Sequence, residues 1–292
     1  MAKYFIDLEF LEGTQNKTFL GINVGKTKPT IDLISIGIVS EEQCDTKYDC
    51  GGKDNPCRVC SNYNSRSYYA ISKDFNLKEA WNRFDLKYNK GMGDANNLPP
   101  TKVYWLRENV LKPIYKELRE KELSYLYSDV DSFETYYTDK RYYKELKRLI
   151  NKYGKTNKQI AEEIKVFIAN RGDNKTYKDV LENEYLRNKP EFYAYYADYD
   201  WVAFCWLFGK MIDLPKGFPM YCKDLKQSFD ERDIKYQEEV KLFLEKQKGE
   251  DYIPQTYNLK NEHGYPKQTN EHNALFDAKF AKDLYYFLKK GE

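Results

Sequence analysis

The chain has 292 residues with 48 basic against 46 acidic side chains, a formal net charge of only +2 at neutral pH. That balance excludes a protein that holds duplex DNA mainly through many-phosphate counterion release, although not one with a small local phosphate site. With 41% hydrophobic residues the chain can bury a sizeable core, which excludes a disordered polymer, and 28 Tyr, 16 Phe and 4 Trp make much of that core aromatic.

Lys3 to Phe10 is a compact run of aromatic and aliphatic residues that predicts a strand carrying two acids, Asp7 and Glu9. At spacing i and i+2 on a strand both carboxylates share one face, while Ile6, Leu8 and Phe10 take the other. A loop with Gly13, Gly21 and Gly25 leads to a second strand over Thr30 to Val39, rich enough in Ile to be central, and the two strands read as a hairpin-like pair. Ile31 to Val39 is interrupted by Asp32 and Ser35 and falls far short of the ~20 residues of a spanning helix, so no membrane span is expected. Met1-Ala2-Lys3-Tyr4 lacks the pattern of a secretory leader. The expected location is the cytoplasm, where cysteines serve as thiols or metal ligands rather than as disulfides.

Cys44, Cys50, Cys57 and Cys60 are separated by the turn residues Gly51-Gly52 and Asn55-Pro56, and four thiols so placed can surround a tetrahedral structural Zn²⁺. Only Cys57-x-x-Cys60 has knuckle spacing, so reduced thiols and a redox pair stand as alternatives. Ser67 to Ser72 predicts a third strand, and three early strands suggest an antiparallel start to a sheet. Val103 to Tyr115 has near-helical apolar spacing, and Lys116 to Lys155 is rich in Lys, Glu and Tyr with no strong apolar stripe. There Tyr125, Tyr127, Tyr136, Tyr137, Tyr142 and Tyr143 interleave with Lys140, Arg141, Lys144 and Lys147. That pattern suits single-stranded nucleic acid through stacking and phosphate contacts, and it equally suits a solvated or partner-facing helical appendage.

Thr156-Asn157-Lys158-Gln159 has the form of a capping box and opens a helix with Ile160, Ile164, Phe167 and Ile168 on one face. Glu191 to Ala197 predicts a fourth strand, followed by Asp200 and a buried helix over Trp201 to Leu207; a last helix runs from about Asn273 through Leu288. Cys205 and Cys222 sit in apolar surroundings and read as small core residues. Strands first, then helices alternating with strands, predict a mixed α/β sheet. The chain shows no internal repeat or low-complexity linker, so the expectation is a single domain over 1–292 with a Cys-rich insertion at 44–62 and a helical Tyr/Lys-rich insertion at 116–155.

Asp7, Glu9, Asp200 and Asp277 each lie in an apolar setting where a charge demands compensation. Divalent cations are an economical answer, because hard carboxylate oxygens share their charge and two such ions about 4 Å apart can clamp a phosphodiester in line with an attacking water. Taken alone, Asp200 reads equally well as a helix N-cap, and Asp198, at the end of the predicted strand, competes with it. His272 precedes Asp277 by five positions, so at the start of a helix its ring can reach the site that Asp277 faces, where an imidazole accepts a proton from water near neutral pH. His263 lies in a Gly- and Pro-containing loop with no such context.

Asp7-Leu8-Glu9, Tyr199-Asp200 and His272 with Asp277 resemble the three motifs of the DEDDh 3′-to-5′ exonucleases of the ribonuclease-H-like fold. The segments Tyr4 to Phe10, Thr30 to Val39, Tyr68-Tyr69-Ala70, Trp105 to Leu111 and His272 to Ala278 resemble the bacterial polyadenylate-specific exoribonuclease branch of that family. The resemblance implies a ribonuclease-H-like α/β fold in which Asp7, Glu9, Asp200 and Asp277 hold two Mg²⁺ or Mn²⁺ ions. His272 would activate the water that attacks the terminal phosphodiester, Leu8 and Phe10 would help seat the terminal nucleotide, and nucleoside 5′-monophosphates would leave. It also implies single-stranded RNA, engaged at its 3′ end, as substrate, an adenine preference, and a homodimer. The acids themselves read neither sugar nor base, so a proofreading or repair exonuclease acting on single-stranded DNA is the alternative. A catalytically inactive zinc-containing nucleic-acid-binding protein is a third reading, opposed by the intact acid set and His272, since a pure binder gains nothing from clustered negative charge near phosphates.

Overall fold

The computed structural model describes residues 2–20, 22–43, 65–88, 99–123, 138–169, 189–248 and 258–290. Cys44, Cys50, Cys57 and Cys60, and Tyr125, Tyr127, Tyr136 and Tyr137, lie outside the described residues. In chain order the elements are β1 (Ala2–Gly13), β2 (Asn16–Phe19), β3 (Ile22–Lys26), β4 (Thr30–Gln43), β5 (Ser65–Ile71), α1 (Leu77–Asn82), β6 (Asp85–Lys87) and β7 (Thr101–Val103). A single π-helical turn, Arg107–Leu111, then runs into α2 (Lys112–Leu123), followed by α3 (Asp139–Tyr153), α4 (Asn157–Ala169), β8 (Pro190–Ala194), α5 (Ala197–Phe208), β9 (Lys223–Asp224), α6 (Leu225–Lys248) and α7 (Ala274–Lys290). The chain divides into two compact units, Met1–Leu8 with Ile36–Tyr69 and Glu162–Glu292, and Glu9–Ser35 with Ala70–Ala161.

A five-stranded mixed sheet, ordered β5-β4-β1-β8-β9, organises the fold, in line with the mixed α/β expectation. β1 pairs with β8 in parallel from Ala2↔Pro190 to Phe5↔Tyr193, and β8 pairs with β9 in parallel at Tyr193↔Lys223 and Ala194↔Asp224. In the first unit, alternation along β1 sends Phe5 to one face, where it is buried with Tyr193, Leu225 and Phe229 of α6, and Phe280 and Leu284 of α7. On the other face Tyr4 lies against Phe192 and Phe167, its hydroxyl donating to the Ile168 carbonyl at 3.2 Å, while Phe192 meets Trp201 and Phe204 of α5 and Phe218. Cys205 is buried in α5, and burial pushes its thiol up to about 11, as suits a core residue.

In the second unit α2 buries Ile114, Tyr115 and Leu118, and α3 buries Leu146, Leu149 and Ile150. Those i, i+3, i+4 positions form the apolar stripe that the Lys- and Tyr-rich stretch conceals, because tyrosines at 142 and 143 extend it. Tyr142 and Tyr143 pack against Trp81, and Tyr142 against Tyr115 at 4.3 Å between ring centroids, so these two rings belong to the unit's interior packing. The expected capping box forms in full: Gln159 N–H donates to Thr156 Oγ1 at 3.2 Å, and Thr156 N–H donates to Gln159 Oε1 at 2.9 Å. The glycine-bearing segment expected as a loop holds an antiparallel pair, β2 with β3, whose register shifts between Lys17 and Thr18. β8 ends earlier than predicted because Tyr196 adopts a left-handed conformation (φ 61°), which turns the chain directly into α5 and places Asp198 in the helix rather than at the end of the strand.

Candidate active site

β1 continues past its last pair with β8, and Asp7 sits in that overhang, beyond the carboxyl end of β8, where open α/β sheets place ligands. α5 leaves the same end of β8, and its first turn carries Asp200, which is only 5% exposed. Asp200 is not a helix N-cap, since Tyr196 occupies that position; it belongs to the helix proper.

α7 brings in the other two predicted residues of the first unit. Asn273 caps the helix, its Oδ1 accepting from the N–H groups of Leu275 at 3.1 Å and Phe276 at 3.4 Å. His272 immediately precedes the cap in the left-handed region (φ 67°), so the chain reverses there and the His272 backbone N–H donates to Asp277 Oδ2 at 2.8 Å. Gln268 Nε2 donates to the other oxygen, Oδ1, at 2.7 Å. Asp277 is 8% exposed, and burial pushes its carboxyl up against the opposing effect of these two donors and of His272. Among the described residues no lysine or arginine pairs with it.

Glu9 follows Leu8 on β1, and the backbone of that strand carries it onto the same face as Asp7. Within the first unit, one ring nitrogen of His272 and one carboxylate oxygen of Asp277 lie within 4.8 Å of each other. A carboxylate beside an imidazole offers donors that suit a hard or borderline divalent cation. The buried Asp277, compensated by neutral hydrogen-bond donors, is the group such a cation fits best. Asp7 and Asp200 stand on β1 and α5 of the same unit, and Glu9 belongs to the second unit. Leu8 is buried in the core, Phe10 is half-buried, and His263 is exposed.

Three residues serve this site without having been singled out in the sequence. Gln268 supports Asp277, Asn273 starts α7, and Gly37 of β4 lets the helix approach: a Cβ at position 37 would stand 2.2 Å from the Ala274 carbonyl oxygen. The last was within reach of sequence reasoning, because a lone glycine inside a strand pattern marks a close backbone approach. Tyr196 and Tyr199, both exposed, precede Asp200 in sequence.

No family model matches the chain, and no curated protein matches it in sequence. Among the described residues no helix is long and apolar enough to cross a membrane.

Proposed function

We propose that the chain is a metal-dependent 3′-to-5′ exonuclease of ribonuclease-H-like fold that hydrolyses single-stranded RNA to nucleoside 5′-monophosphates. The observation that carries this reading is the setting of Asp277, a buried carboxylate compensated by two neutral donors, with the His272 ring beside it. The mixed sheet with helices on both faces of the first unit is compatible with that fold, and the resemblance of the three acid motifs supplies the substrate class.

In this reading Asp7, Glu9, Asp200 and Asp277 hold two Mg²⁺ or Mn²⁺ ions, which when bound polarise the scissile phosphodiester and stabilise its developing charge. Gln268 and the His272 backbone hold the Asp277 carboxylate in one orientation. The His272 imidazole accepts the proton of the attacking water, the water oxygen bonds to phosphorus, and the phosphorus–O3′ bond breaks. The shortened strand keeps its 3′ oxygen, and the terminal nucleotide departs with a 5′-phosphate.

The test is a digestion of 5′-labelled RNA and DNA oligomers with Mn²⁺. The expected result is a one-nucleotide ladder on RNA that disappears with chelator and in Asp7→Ala. A ladder on DNA alone moves the substrate to DNA, and no metal-dependent shortening of either strand overturns the enzyme reading.

A further inference from the structure

The second unit holds a cleft of about 390 Å³ whose lining includes Lys78, Trp81, Tyr104, Arg107, Asp139 and Lys140. Arg107 is its fixed point. Only 7% exposed, it donates from Nε to the Trp81 carbonyl at 2.8 Å and from Nη1 to Asp139 Oδ2 at 2.9 Å. Its guanidinium carbon lies 3.9 Å from the Tyr104 ring centroid and 4.8 Å from that of Trp81. These contacts orient the guanidinium plane and leave Nη2 without a hydrogen-bond partner among the described residues, yet Nη2 is not sealed from solvent. Arg107 also opens the single π-helical turn, a rare conformation that recurs at functional sites.

Lys78 and Lys140 are exposed and make no ion pair among the described residues. With Arg107 they set three positive charges against the one negative charge of Asp139 in the cleft lining. The Asp139 carboxylate already has its partner, so the unsatisfied chemistry of the cleft is two directed N–H groups and two mobile ammonium groups. That combination suits a phosphate, whose oxygens accept from a pre-oriented guanidinium while lysines supply charge. Tyr104 and Tyr143 also line the cleft, half-buried, as aromatic side chains do in single-strand binding grooves.

We infer that this cleft anchors a backbone phosphate of single-stranded RNA, separately from the carboxylates that would carry out hydrolysis. The choice of RNA as the carrier of the phosphate rests on the proposed function; the phosphate chemistry of the cleft does not. The test is fluorescence anisotropy of labelled single-stranded RNA bound to the full chain in chelator, at a series of salt concentrations, so that no cleavage intervenes. Lys78→Ala combined with Lys140→Ala is expected to weaken binding by about tenfold at low salt and to reduce the slope of log K against log salt by about 1.4, or 0.7 for each lost contact. Arg107→Lys keeps the charge but not the planar fork, and is expected to weaken binding at an unchanged unfolding temperature; if it unfolds, the lysine pair alone decides. Wild-type affinity and an unchanged salt slope in the double lysine variant overturn the inference. Inorganic phosphate is the control ligand: loss of its binding in the double variant while RNA binding stays unchanged makes the cleft a free-phosphate site and overturns the RNA assignment. If the wild type fails to cleave RNA with Mn²⁺ but the variants still bind it more weakly, only the exonuclease reading falls.

Discussion

Two acids, one in each unit, are buried to the same degree and treated in opposite ways. Glu122 of α2 and Asp277 of α7 are each 8% exposed. Around Glu122, Arg148 donates from both terminal nitrogens, Lys152 donates at 2.8 Å, Tyr153 at 3.4 Å, and Arg119 lies at 3.5 Å. Hydrogen bonds from Arg148 first and Lys152 second hold its carboxyl down to about 2. Around Asp277 there is one side-chain amide and one backbone N–H, and burial pushes its carboxyl up. A buried carboxylate surrounded by guanidinium and ammonium groups is a structural part, complete as it stands. One left with neutral donors beside an imidazole has a use for a cation.

The largest effect that can break this contrast is on activity. Asp277→Asn keeps the shape and the possibility of hydrogen bonding from Gln268 but removes a ligand charge, and it is expected to lower kcat by at least about 10³-fold, roughly 4 kcal/mol of barrier. Glu122→Gln should leave kcat within about twofold, because nothing ties Glu122 to the reacting atoms. Equal losses in the two variants, measured as single-turnover RNA cleavage, would erase the distinction. The next effect needs no cleavage at all. Mn²⁺ at about one hundred times its dissociation constant should stabilise the wild type by roughly 2.7 kcal/mol and raise its unfolding temperature, whereas Asp277→Asn should show little of that rise and Glu122→Gln nearly all of it. In chelator, Asp277→Asn should unfold at the wild-type temperature or higher, since it removes a buried charge that only neutral donors compensate.

A third change tests whether the Asp277 setting is held by backbone packing rather than by charge. Gly37→Ala places a methyl group 2.2 Å from the Ala274 carbonyl oxygen, so the first turn of α7 must move, and with it the His272 N–H that fixes Asp277. The expected cost is about 1–3 kcal/mol, as for overpacking elsewhere, together with a loss of cleavage that added Mn²⁺ only partly restores. Stability reduced with cleavage intact would show that the close approach serves packing alone.

Residues whose role is local were legible in the sequence, and residues whose role depends on distant neighbours were not. The Thr156–Gln159 box, the alternation that puts Asp7 and Glu9 on one face of β1, and the placement of His272 just before a helix carrying Asp277 all depend on spacing within one turn or a few strand residues. Gln268 gave no periodic signal, because it acts from an irregular loop through a side chain that meets α7 only after the chain has folded. The same holds for the Arg107 clasp, assembled from Trp81, Tyr104 and Asp139. The stripe of α3 was hidden for a different reason: Tyr142 and Tyr143 are half-buried members of it, and tyrosine is as common on surfaces as inside.

The smallest effect concerns Glu122 and acid. Its folded carboxyl lies at about 2 against an ordinary value of 4.5, so the folded state binds this proton less readily than the unfolded chain does. Its stabilising contribution is therefore nearly complete above pH 4.5 and declines as pH falls from that value to about 2, where the unfolded chain is protonated and the folded state half so. At neutral pH Glu122→Gln should cost about 1–2 kcal/mol, less than a fully enclosed ion pair, because Arg148 and Lys152 each keep a large share of their surface in water. The measurement is the difference in urea unfolding free energy between wild type and Glu122→Gln across that acid range. The difference should shrink steadily below pH 4.5 and nearly vanish at about 2. A difference that stays constant through the range would mean that the glutamine loses packing rather than charge, and Glu122 would then cease to be the ion-paired counterpart of Asp277.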